Sequence, residues 1–262
     1  MTGTLSVVAV PIGNLEDITL RALRVLRTAD RVACEDTRET GKLLKLLDVA
    51  APRLVSYHDH NAERRIPGLI EALEAGENVA LVSDAGTPAV SDPGFKLVRA
   101  AIEAGVDVVP VPGACAAIAA LCAAGLPTDR WRFVGFLSAK AGARRRELAA
   151  LAGAGETLIF YESPHRVTAF LEDAAEALGE GRPAVIAREI TKKFEEFRRG
   201  TLGELVADPG VVRGEVVLLV GGAVAEVAGP ADLSAVVERL LAAGLPPSKA
   251  AREAAKETGV TR

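Results

Sequence analysis

Short apolar runs alternate with amphipathic stretches through the first half of the chain. The runs at 5–10, 31–34, 53–57, 79–83 and 106–109 read as strands. Between them, apolar residues recurring every three to four positions predict helices over 19–28, 41–47, 65–74, about 92–104 and 114–124. The run at 79–83 is unbroken, which fits a strand covered on both faces. Asp92-Pro93 supplies an N-cap and then a proline at the first helical position, so the fourth helix is predicted to open there.

After Leu126-Pro127-Thr128 the strand-like runs lengthen. Strands are predicted over 132–136, 157–161, 184–188 and 215–220, with helices over 144–151 and 167–178. The pattern predicts an α/β protein of two lobes, a mostly parallel sheet within 1–127 and a mixed sheet within 128–224. A Pro/Gly linker after Gly222 leads into a helical tail over 225–262, with helices at 233–242 and 248–258.

Composition narrows the class. Hydrophobic residues make up 49% and charged residues 25%, the balance of a soluble globular protein. Aromatics are only 4%, so Ala, Val, Leu and Ile must build the core. The longest apolar run, 114–126, is too short for a membrane span, and no secretory leader is expected, because the chain enters a strand pattern at once. Cys34, Cys115 and Cys122 form no Cys-x-x-Cys pair, which suits a reducing cytoplasmic compartment. A net charge of −4 excludes polyanion binding through overall charge; any nucleic-acid contact must come from local basic patches.

Chemistry is expected at the carboxyl ends of the strands. Four segments there combine Pro or Gly with backbone able to hold a ligand: 10–14 (Val-Pro-Ile-Gly-Asn), 83–88 (Ser-Asp-Ala-Gly-Thr-Pro), 110–115 (Pro-Val-Pro-Gly-Ala-Cys) and 161–166 (Tyr-Glu-Ser-Pro-His-Arg). No Gly-x-Gly-x-x-Gly follows the first strand and no Walker A motif occurs, which argues against dinucleotide-binding and P-loop enzymes. His58 and His60 would share one face of a strand, but no third ligand accompanies them at suitable spacing, so no metal is expected. Glu35, Asp36 and Arg38 stand at a predicted helix start. There the acids could serve the helix dipole or act on a substrate hydroxyl. Lys140, Arg144, Arg145 and Arg146 form the densest cationic cluster. At the N-terminal end of a predicted helix their charge opposes the dipole, a cost that RNA phosphates would offset. Arg188, Lys192, Lys193, Arg198 and Arg199 could extend that footprint.

The segments 10–14, 35–38 (Glu-Asp-Thr-Arg), 58–61 (His-Asp-His-Asn), 83–88, 161–166 and 187–192 (Ala-Arg-Glu-Ile-Thr-Lys) together resemble the ribosomal RNA small-subunit methyltransferase I family. That family lies within the tetrapyrrole-methylase-like superfamily. The resemblance runs in order from about Leu5 to Val220; one departure is Pro112-Gly113-Ala114, where the family usually carries Pro-Gly-Pro. It implies a two-lobed tetrapyrrole methylase-like fold, a homodimer, S-adenosylmethionine in the cleft between lobes, and 2′-O-methylation of a cytidine in the decoding region of 16S rRNA, free or in the 30S subunit. By the same resemblance Pro11, Gly13, Asp84, Ala85, Gly86, Val90, Pro112, Cys115, Ala116, Tyr161, Gly214 and Glu215 would hold the cofactor. Glu162 and His165 are the leading candidates to take the hydroxyl proton, with Glu35 as the alternative. Arg166 and Lys192 would join Arg38, Lys140, Arg144, Arg145, Arg146 and Arg188 on the RNA. Two other readings are a tetrapyrrole C-methyltransferase of the same fold and a non-catalytic RNA-binding assembly factor.

Overall fold

The computed structural model describes residues 2–50, 52–223 and 230–258. In its first part β1 (Thr4–Val8), α1 (Leu20–Thr28), β2 (Arg31–Cys34), α2 (Thr37–Leu46), β3 (Arg53–Ser56), α3 (Ala62–Glu74), β4 (Val79–Leu81), α4 (Phe95–Glu103) and β5 (Asp107–Val111) alternate. Their five strands form one parallel sheet in the order β3-β2-β4-β1-β5. Alternate side chains of the central strand feed cores on opposite faces. Val79 and Leu81 join Leu5, Leu69 and Leu97, while Ala80 and Val82 join Val8, Leu26 and Leu44. That two-sided burial is why the 79–83 run carries no polar alternation. From β1 the chain leaves toward β2, and from neighbouring β4 it leaves the opposite way toward β5. Such divergence opens a crevice at the strand ends.

The second part holds α5 (Ala116–Ala124), β6 (Trp131–Gly135), α6 (Ala141–Ala149), β7 (Thr157–Glu162), α7 (Val167–Leu178), β8 (Pro183–Arg188), β9 (Glu196–Thr201), α8 (Leu202–Ala207) and β10 (Val216–Val220). Its sheet is mixed, in the order β6-β7-β10-β8-β9, with only the β6–β7 pair parallel. Leu148, Phe160, Phe170 and Leu218 fill the core on one face. The other face is covered by α5, whose Ala117, Ala120 and Leu121 meet Ile159, Val185, Val217 and Leu219. Sequence order puts α5 before the boundary expected at 127, but its side chains complete the core of the second sheet. Two further helices, α9 (Pro230–Ala242) and α10 (Pro247–Thr258), pack on each other. The linker expected before them falls at 224–229, outside the described residues.

Two expectations require correction, and two elements were not expected. The fourth helix starts at Phe95, capped by Gly94 at φ 155°, so Asp92 is not its N-cap. The cationic helix begins at Ala141, not at 144, which moves its arginines away from the N-terminal turn. Strand β9 and helix α8 were not foreseen. The first is an edge strand (Glu-Phe-Arg-Arg-Gly-Thr) whose charged residues hide its period. The second opens on a capping box, with Thr201 Oγ1 accepting from Glu204 N–H and Glu204 from Thr201 N–H, a signal present in the sequence.

Candidate active site between the two sheets

The strand-end loops converge on a cleft of about 430 Å³, within the size range of small-molecule sites. Ile12, the 85–92 loop, Cys115 and Ala116 form one wall; Phe136, Tyr161 to Pro164, Ile190 and Gly214 to Val217 form the other. Loop is fixed to loop on the first wall. Val10 and Gly86 exchange backbone hydrogen bonds at 2.9 and 3.1 Å, and the Thr87 hydroxyl donates to Ala114 O at 2.9 Å. Across the cleft the Tyr161 hydroxyl accepts from Ala117 N–H at the start of α5 (3.1 Å). Burial raises the phenol's pKa, so Tyr161 stays neutral.

Backbone strain gathers on both walls. Ala89 (φ 66°) and Ser91 (φ 63°) lie in the first, and Glu189 (φ 50°) and Thr191 (φ 68°) in the loop after β8. Left-handed non-glycine residues persist only where surrounding contacts enforce them, and they cluster at ligand sites. Gly86 (φ 74°) and Gly214 (φ 78°) shape the cradle, since a Cβ on the first would come 3.1 Å from Ile12 Cγ2 and one on the second would meet the Glu189 side chain.

Of the residues expected at the cofactor, Ala85, Gly86, Val90, Cys115, Ala116, Tyr161, Gly214 and Glu215 line the cleft. Pro11, Gly13, Asp84 and Pro112 are not among the residues that line it. Asp84 turns away to accept Asp36 N–H at 3.1 Å, linking the loops after β4 and β2. Gly13 lets Lys192 cross over it from the second sheet. Among the proposed proton acceptors only Glu162 reaches the cleft. Its carboxylate is buried and pairs with Arg166 at 3.0 Å. His165 is exposed and Glu35 half-buried, and neither lines the cleft. Asp36 resolves one alternative, because it caps α2 through Arg38 N–H (2.8 Å) and is held well below the usual carboxylate range by the Arg38 guanidinium.

The one carboxylate unanticipated in the cleft is Asp92. Its own burial, then the nearby charge of Glu35 and more weakly of Asp84, push its pKa up to about 6, partly opposed by the Ser83 hydroxyl. Glu35 is raised in turn by burial and by Asp84, with His58 opposing. The sequence signal was present but pointed elsewhere, as Asp before Pro reads as a helix cap.

The basic set divides. Arg144, expected to face phosphate, is 5% exposed and pairs with buried Asp173 at 2.6 Å; Arg145 reaches the same carboxylate at 2.7 Å. The charge that seemed to oppose the dipole of α6 is therefore neutralised by α7. Arg188 pairs with Glu196, Lys192 with Glu189 and Glu215, and Arg198 with Asp208. Arg199 caps α5 through the carbonyls of Ala123 and Ala124. Lys140 and Arg146 are exposed and form no ion pair among the described residues. Nor does any group of three or more His, Cys, Asp or Glu suited to a metal occur among them. No helix of the described residues is long and apolar enough to cross a membrane.

The profile of the Tetrapyrrole (Corrin/Porphyrin) Methylases matches residues 4–206. A protein of Mesorhizobium japonicum named ribosomal RNA small subunit methyltransferase I is 52% identical over 97% of this chain and 87% of its own length. Its namesake in Escherichia coli O157:H7 is 50% identical over 99% of the chain and 92% of its own. Among solved structures, uroporphyrin-III C-methyl transferase from Thermus thermophilus complexed with S-adenyl homocysteine superimposes with a TM-score of 0.57 at 22% identity, over 84% of this chain and 97% of that one.

Proposed function

Because this chain belongs to the ribosomal RNA small subunit methyltransferase I family, within the Tetrapyrrole (Corrin/Porphyrin) Methylases, we propose that it transfers a methyl group from S-adenosylmethionine to small-subunit ribosomal RNA. The acceptor in this reading is the 2′-oxygen of a cytidine in the decoding region of 16S rRNA. The observation that carries it is the convergence of the 10–14, 83–88 and 161–166 segments on one cleft from two different sheets. A glycine-shaped cradle of that volume, apolar with a few carboxylates, suits a nucleoside bearing a sulfonium. Ala85, Gly86, Val90, Cys115, Ala116, Tyr161, Gly214 and Glu215 would hold it. When bound, it supplies a methyl group on a cationic sulfur; the protein must align the ribose hydroxyl and accept its proton. The reading takes the protein as a cytoplasmic homodimer, and its three free thiols suit a reducing compartment.

The experiment is a methyl-transfer assay with radiolabelled donor, comparing 30S subunits, naked 16S rRNA and a porphyrinogen, followed by mass-spectrometric mapping of 2′-O-methyl nucleotides. Label in a cytidine of 16S rRNA is the expected result; label in the porphyrinogen alone would make the chain a tetrapyrrole C-methyltransferase. Absence of donor binding by calorimetry would leave the RNA-binding factor.

In this reading the phosphate contacts among the basic residues include Lys140 and Arg146, which are exposed and form no ion pair among the described residues. Changing both to alanine should weaken RNA binding and flatten its dependence on log salt by about 0.7–0.9 per lost contact. Anisotropy titrations at several salt concentrations check this. Parallel slopes would mark both as solvated side chains.

A further inference from the structure

Phe136 lines the cleft, stands outside the set that would hold the donor, and is 58% exposed. In a chain with seven phenylalanines, an open ring in a cleft lining is a ready contact surface for a ligand. Two backbone features place it there. Strand β6 carries a bulge against β7: Phe133 stands opposite Ile159 but Gly135 opposite Phe160, so Val134 is the extra residue. Gly135 then turns at φ 76°. A bulge of this kind re-aims side chains beside a site, and here it resets the strand's alternation just before Phe136. The ring is also braced. It meets Tyr161 edge-on at 5.6 Å, Phe133 meets the same tyrosine at 5.0 Å, and Ala117 N–H fixes the Tyr161 hydroxyl.

A second exposed ring lies along the same end of the sheet. Strands β6, β7 and β8 run in one direction, because β6 and β7 are parallel and β10 is antiparallel to both β7 and β8. Their carboxyl ends share the cleft side, where Ser163 follows β7 and Ile190 follows β8 in the lining. The loop after β8 carries Phe194, 62% exposed, with Lys193 Nζ 5.6 Å from its centroid. Two tight turns hold this loop, Lys192 N–H donating to Glu189 O and Glu195 N–H to Lys192 O. The Thr191 hydroxyl ties it to Asp17 of the first lobe at 2.6 Å. In the sheet β6 and β8 are three places apart, about 14 Å at the usual strand spacing. Lys140 follows the first ring and Lys193 adjoins the second; both are exposed and form no ion pair among the described residues. Flat rings flanked by unpaired cations suit single-stranded nucleic acid, with bases on the rings and phosphates on the cations. The core of a protein interface is instead depleted of charge.

We propose that Phe136 is the platform on which the acceptor's base stacks, and that Phe194 stacks a flanking base of the same strand. The inference rests on the proposed methyl transfer and deepens it: the acceptor is an unpaired nucleotide, laid across the mouth of the cleft. Every base has a flat face, so the two rings hold the strand without reading its sequence. With the base fixed at the lining, the ribose is held for transfer rather than left to diffuse.

The test takes Phe136→Ala, Phe136→Leu, Phe136→Trp and Phe194→Ala through three measurements. These are methyl transfer to 30S subunits, anisotropy of a fluorescein-labelled single-stranded oligoribonucleotide at several salt concentrations, and calorimetric titration with S-adenosylmethionine. Phe136→Ala should lose about 5- to 150-fold in kcat/KM and in oligonucleotide affinity, the range for one base on one ring. Phe136→Leu, apolar but not flat, should fall with it, and Phe136→Trp should restore both. Phe194→Ala should weaken oligonucleotide binding, and its factor should multiply with that of Phe136→Ala, as for separate sites. The salt slope should stay that of the wild type, since no phosphate contact is lost. Donor affinity should stay within a few-fold. Full activity and binding in Phe136→Ala, or rescue by leucine as complete as by tryptophan, overturns the proposal. So does a tenfold loss of donor affinity, which would make the ring part of the donor site, or a changed oligomeric state by sedimentation, which would make it a contact between copies of the chain. A wild type that binds the oligonucleotide through these rings yet methylates no RNA refutes the proposed methyl transfer alone.

Discussion

Replacing Arg144 with alanine should lower the unfolding free energy by about 3–5 kcal/mol, the range for breaking a buried ion pair from one side. Its side chain and that of Asp173 are 6% and 5% exposed, and the arginine also reaches Ala169 O. Arg145 stays on Asp173, but from a side chain 58% exposed, so it compensates only in part and the loss should fall toward 3 kcal/mol. Urea unfolding with an unchanged m-value and a lower midpoint is the measurement. RNA affinity and its salt slope should not move. A variant of normal stability with weakened RNA binding would return Arg144 to the phosphate contacts. Replacing Arg144 and Asp173 together by leucine should cost far less, since no lone charge is left inside.

Gly214→Ala should reduce S-adenosylmethionine affinity tenfold or more, about 1.4 kcal/mol. At φ 78° an alanine is strained by about 1–2 kcal/mol, and its Cβ would run into the Glu189 carboxylate. That carboxylate accepts both Glu215 N–H and Lys192 Nζ at 3.0 Å, so moving it disturbs the wall that Gly214 and Glu215 give the cleft. Gly179→Ala is the matched control, with φ 100° and open space around the added carbon. Calorimetric titration of both variants should show the loss only at 214. Equal losses would trace the effect to general backbone strain.

Much of the architecture is legible in the pattern of apolar residues because burial writes it there. Strands β4 and β10, buried along their whole length, have no polar residue to disguise them. Edge strand β9 is legible neither as strand nor as scaffold, because one side of it meets water and its arginines serve partners distant in sequence. The same limit explains the basic cluster. Periodicity places Arg144 on a helix but cannot reveal Asp173, 29 residues on. The loops that form the cleft are visible from their Pro and Gly content, whereas Asp92 is not. Its place in the cleft lining goes with the positive φ angles of Ser91 and Gly94, which the Asp-Pro pair does not encode.

Helix α5 also sets a schedule during synthesis. It is apolar on every side, Ala-Ala-Ile-Ala-Ala-Leu-Cys-Ala-Ala, and β10, which supplies Val217 and Leu219 to cover it, is made about 95 residues later. The parallel sheet can close as soon as β5 emerges. At roughly 5–20 residues per second, α5 then waits about 5–20 s without its cover. A ribosome that pauses anywhere between residues 125 and 215 prolongs that interval, and the sticky intermediate it leaves is a natural client for a chaperone.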